Sequence, residues 1–83
     1  MSGIKIGDLV KLNRFPYEDY IFMIVGNKEN PWLKASPYFP KGEEIEIETG
    51  KEFILIKKRN NTFGIFDIPE NGIHVNEDEI EII

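Results

Sequence analysis

Hydrophobic positions along the chain come in short runs separated by turn residues, not in the three-to-four spacing of helices. Leu9-Val10-Lys11-Leu12 reads as a first strand after the punctuation of Gly7-Asp8. Ile21 to Val25 is a continuous apolar run closed by Gly26, too short for a core helix and suited to a buried strand. Glu44 to Glu48 alternates strictly, which places Ile45 and Ile47 on one face and the glutamates in water. Phe53 to Ile56 and Phe63 to Ile68 are dense in β-branched and aromatic residues. Asn60-Asn61 between them can supply the positive φ of a tight turn, so 52–68 is predicted to be a hairpin. In that register Leu55 pairs with Phe66 and Phe53 with Ile68. Ile54, Ile56, Phe63 and Ile65 then form a second apolar face. Ile73-His74-Val75 and Ile80 to Ile83 are further short strands, with a single helical turn expected over 76–79.

Two segments resist regular structure. Residues 13–20 form a loop around Pro16. Residues 27–42 carry Pro31, Pro37 and Pro40, and proline lacks the N–H that a ladder or helix interior needs, so this stretch is predicted to be irregular. Small domains of about five to seven short strands with regular turn signals favour a barrel over a sandwich. GDLVKL at 7–12 and VNEDEIEII at 75–83 resemble the opening strand and the turn-plus-closing strand of SH3-like barrels. The expected fold is therefore all-β, one domain over 1–83: a small SH3-like barrel of antiparallel strands with a long proline- and aromatic-rich loop.

Composition narrows the functions available. Hydrophobic content of 41% with 12% aromatics describes a folded chain. A domain this size buries only about 60–65% of its unfolded surface, leaving room for one site or one interface. The cysteine count of 0 removes disulfides, thiolate metal sites and cysteine nucleophiles. With no signal-peptide pattern and no apolar run long enough to span a bilayer, a cytoplasmic location is expected. Net charge is −5, and it is uneven. Residues 1–42 hold six basic and four acidic side chains, and residues 43–83 hold four and eleven. An acidic chain is ill suited to backbone-led nucleic-acid binding. The basic cluster Lys57-Lys58-Arg59 belongs to the hairpin turn.

Chemistry-bearing patterns are scarce. His74 is the single histidine, so no histidine metal cluster can form, and the only serines, Ser2 and Ser36, lie in a terminus and a proline-rich loop. Gly50-Lys51 is followed by Glu52, and Ile45 stands where a phosphate loop needs its first glycine. The calcium-loop pattern is absent. No enzyme activity, cofactor or metal is expected. The carboxylates Glu70, Glu77, Asp78 and Glu79 read as a solvated acidic face.

The aromatic loops carry more information. Phe15, Tyr17, Tyr20 and Phe22 fall in and after the first loop, and Trp32, Tyr38 and Phe39 in the second. Two readings follow. The rings cap a thin core, or they form a contact surface, since a tryptophan is costly to expose and often anchors an interface. The SH3-type resemblance implies the second: an aromatic groove for a proline-rich peptide, a methylated lysine or a flat ligand. The expected function is a non-enzymatic module that binds a protein partner through Tyr17, Tyr20, Trp32, Tyr38 and Phe39 and an acidic face. Its richness in Ile, Lys, Asn and Glu fits a phage or mobile-element accessory protein. The alternative is a small-molecule binder in which Trp32, Tyr38 and nearby lysines hold a nucleotide-like ligand. The second hairpin face, Ile54, Ile56, Phe63 and Ile65, is a candidate interface. Either the 27–42 segment covers it with Trp32, Leu33, Tyr38 and Phe39, or a second chain does, making the protein a monomer or a homodimer.

Overall fold

A computed structural model describes residues 3–35, 45–57, 65 and 68–83. The strands are β1 (Leu9–Leu12), β2 (Phe22–Gly26), β3 (Pro31–Ala35), β4 (Phe53–Leu55), β5 (Ile73–Val75) and β6 (Ile80–Ile82), with a 3₁₀ turn at Glu77–Glu79. They form one curled sheet, a half-barrel, in the order β5-β4-β3-β2-β1-β6. No α-helix occurs among the described residues.

Alternation along the strands builds the interior. Val10 and Leu12 from β1, Phe22 and Ile24 from β2, Leu33 from β3, Phe53 and Leu55 from β4 and Val75 from β5 turn inward and are buried. Ile4, Tyr17, Ile47, Ile65 and Ile68 close the same cluster from outside the strands. β2 lies between β1 and β3 with both backbone edges paired, and Phe22, Met23 and Ile24 along it are all buried.

The ends of the sheet meet at one corner. β5 and β6 are its two outermost strands, yet only residues 76–79 separate them in the chain. The sheet must curl for that short link to span both edges. At the turn the Glu79 carboxylate accepts the Asn76 N–H at 3.1 Å. Asn13 N–H donates to the Glu79 carbonyl at 2.7 Å, docking the turn on the end of β1. Arg14 bridges the corner: its Nη1 donates to the His74 carbonyl on β5 at 2.9 Å and lies 3.5 Å from Glu79 Oε2. β6 then runs antiparallel to β1, with Leu12 opposite Ile80, Lys11 opposite Glu81 and Val10 opposite Ile82. The expected closing strand returns to the opening strand in this way.

Four expectations change. The segment 27–42 is not irregular throughout, because β3 occupies 31–35. Pro31 opens that strand, and at a first position its missing N–H is tolerated. The pairings are also not all antiparallel. β3 and β4 run parallel, with Trp32 beside Ile54 and Leu33 beside Leu55. The hairpin pairing of β4 fails because both its edges are taken. Leu55 lies between Leu33 and Ile73, and Phe53 pairs with Val75 and not Ile68. Phe66 lies outside the described residues. Strand propensity marks a run as extended without choosing its neighbours. The turn at Asn60-Asn61 lies outside the described residues. Finally, 44–48 is not a strand over its described part. One bridge, Lys5 to Glu46, holds it to the chain start. Ile47 is buried at 1% exposure while Ile45 is 42% exposed. Alternation places two residues on one face only while the segment remains a strand.

Substituting Arg14→Ala should lower unfolding free energy by about 1 kcal/mol, a charged hydrogen bond discounted for its partial exposure. Phe53→Ala should lower it by about 3–5 kcal/mol through a core cavity. Urea denaturation checks both, and equal losses would show that the corner and the core are not distinct.

Candidate functional site

The sheet face turned away from the core carries a row of side chains set by register. Val25 pairs with Trp32, Trp32 with Ile54, and Ile54 with His74, so these residues from β2, β3, β4 and β5 lie side by side. Val25, Trp32 and Ile54 are half-buried, and His74 is exposed. His74 Nδ1 lies 3.6 Å from Glu52 Oε1, an ion pair only when the imidazole is protonated.

Beside Trp32 opens a groove of about 350 Å³. Trp32, Ile54 and Ile56 supply its apolar wall, and Gly26, Asn27, Asn30 and Pro31 its rim. The rim is shaped locally. Asn27 Oδ1 accepts the N–H groups of Glu29 at 3.1 Å and Asn30 at 2.8 Å, which folds 27–30 into a tight turn. Gly26 has φ +96°, and a Cβ there would lie 2.6 Å from the Asn30 carbonyl oxygen and 2.7 Å from Trp32 Cδ1. The indole therefore packs over a position that only glycine can occupy.

The candidate residues separate clearly. Trp32 is at the groove, but on a strand and not in a loop. Ile54 and Ile56 line it with Trp32, and β3 runs beside β4. Residues 36–42 of the segment expected to cover this face lie outside the described residues. Leu33 points the other way into the core. Tyr17 is 3% exposed and belongs to the core. Tyr20 packs against that core, its ring 6.4 Å from that of Phe22. Neither lines the groove. The exposed aromatic of the first loop is Phe15, at 85%. Ile65 is 1% exposed within the core cluster, which corrects its assignment to the opposite face. Tyr38, Phe39 and Phe63 lie outside the described residues. Gly26, Asn27 and Asn30 went unrecognised as rim residues. The signal was a Gly-Asn start and an Asn-Pro end to one tight turn.

A larger cavity of about 480 Å³ lies between Thr49-Gly50-Lys51 and Asn76-Glu77-Asp78. The Glu77 carboxylate there accepts the Gly50 N–H at 2.9 Å, so it serves the structure of the corner. The smaller groove differs in having a wall of tryptophan and isoleucine side chains. Among the described residues no three acidic or histidine side chains converge as metal ligands, and no helix is long and apolar enough to cross a membrane.

Comparison with protein-family models, with curated proteins and with solved structures finds no match. The groove is therefore interpreted from its own chemistry.

Gly26→Ala should displace the indole. The expected signature is a red-shifted Trp32 emission together with roughly 1–3 kcal/mol of lost stability from the strained backbone. Unchanged emission would show that Gly26 does not set the position of Trp32.

Proposed function

We propose that this protein is a non-enzymatic binding module, on an SH3-like frame, that takes an extended segment of a protein partner into the Trp32 groove. The observation that carries this reading is the half-buried Trp32 standing between Val25 and Ile54 on the face away from the core. A large aromatic that is neither sealed in the core nor fully solvated is the usual anchor of a small interface. The groove lining combines apolar side chains with the amides of Asn27 and Asn30, which suits a peptide backbone flanked by apolar residues. The return of β6 to β1 after a 3₁₀ turn supports the SH3-like frame. The acidic second half of the chain favours a partner segment carrying basic residues. Such a module fits a phage or mobile-element accessory protein.

The test is a peptide-display selection against the wild-type protein, followed by titration of the selected peptides. Trp32 is the single tryptophan, so its fluorescence reports directly on the groove. Trp32→Ala should weaken binding by about 2 kcal/mol, roughly thirtyfold. It should lower stability by less. Peptides that bind equally well to Trp32→Ala, or a loss of about 3–4 kcal/mol in folding with binding intact, would place Trp32 in the core and overturn the reading.

A further inference from the structure

The two edges of the sheet are finished differently. At β5, Arg14 donates to the His74 carbonyl and so occupies the outer backbone edge. At β6 the pairing with β1 uses alternate residues. Ile83 N–H donates to the Leu9 carbonyl at 3.0 Å, and the Glu79 carbonyl accepts from Asn13 at 2.7 Å. Odd-numbered residues thus face β1, and the backbone groups of Ile80 and Ile82 turn outward. The Ile80 N–H is used by the Glu77 carbonyl. Ile82 is left presenting both a donor and an acceptor at an edge that pairs with no other strand among the described residues.

Edge strands are ordinarily blunted by short length, charge, proline or a bulge. β6 is short, at 3 residues, but residues 80–83, Ile-Glu-Ile-Ile, carry no proline or lysine, and the one charge, Glu81, stands opposite Lys11 within the sheet. The side chains there are exposed and apolar: Ile82 at 52%, Ile83 at 63%, and Leu9, bonded through its carbonyl to Ile83, at 40%. Backbone groups of alternating direction select a strand as the occupant, and their symmetry selects which strand.

We infer that β6 pairs antiparallel with β6 of a second copy of this chain, about a two-fold axis through Ile82. Centred there, each Ile82 N–H donates to the Ile82 carbonyl of the other copy. Both free groups are satisfied reciprocally, as an isologous interface requires. Ile83 then stands opposite Glu81 of the second copy. A register centred on Glu81 would set two carboxylates face to face, and it would need the Ile80 N–H that Glu77 already holds. The Ile80 end of β6 adjoins the Arg14 corner, and the Ile82 end lies away from it. This edge is separate from the Trp32 groove, and the inference stands without it.

Sedimentation of the whole chain across a concentration series up to millimolar tests the pairing. Wild type is expected to shift from monomer to dimer. Ile82→Pro deletes the outward donor without touching the β1 side, and should remain monomeric with an unchanged far-UV spectrum and Trp32 emission. The register is tested without proline by Ile83→Lys and Ile83→Glu, which place attraction or repulsion against Glu81 of the second copy. Summed over two symmetric pairs, their dimer dissociation constants should differ by about tenfold, lysine being the tighter. If Ile82→Pro unfolds, the Ile83 pair decides alone. A wild-type monomer at millimolar concentration, or a dimer indifferent to the charge at position 83, overturns the inference.

Discussion

Everything in this fold depends on joining the two outermost strands of one sheet through a link of only residues 76–79. A flat six-stranded sheet cannot satisfy that connection, because its edges would be far too distant. Curling brings them together, and the corner where they meet is held by polar contacts as well as by the packing of Val75 and Ile80 on the core. Arg14 reaches the backbone of β5 and the carboxylate of Glu79, and Asn13 holds the Glu79 carbonyl. The apolar interior follows from the same curl. The inward residues of β1 to β5 converge only because the sheet bends around them, and Tyr17, Ile47, Ile65 and Ile68 fill the side the sheet leaves open.

The same constraint creates the outer face. A small barrel has one interior, so every strand that is apolar on both sides leaves a remainder outside. Here the remainder is Met23, Val25, Trp32 and Ile54, ordered into rows by register. Trp32 is half-buried in part because Gly26 gives up its side chain to the indole. A groove beside an anchored tryptophan is the direct consequence of that arrangement. Binding at this face would need no rearrangement of the core beneath it.

Much of the framework was legible in the residues. GDLVKL and VNEDEIEII mark the two strands that pair, and the acidic, asparagine-led turn between Val75 and Ile80 marks the corner. The unbroken run in β2 announced a strand buried on both faces. Two features were not legible. Pro31 disguised β3, because a proline at a first strand position looks, in sequence, like a proline that forbids a strand. The partners of β4 were hidden because Phe53-Ile54-Leu55 specifies which residues face inward but not which edges are filled. At the candidate site, the rarity of tryptophan drew attention to Trp32, which lines the groove from β3 and not from a loop. Tyr17 and Tyr20 were drawn towards the surface by their neighbours in a loop, whereas a thin core recruits loop aromatics to complete itself.

The claim that the sheet closes at the Arg14 corner is tested most directly by proton–proton contacts in solution NMR. Arg14 side-chain protons should show cross-peaks to His74 or Val75 on one side and to Glu79 on the other. In the same spectra, backbone contacts should pair Leu12 with Ile80 and Val10 with Ile82. Arg14 cross-peaks to neither edge, with β6 amides exchanging freely and showing no contact to β1, would contradict the account.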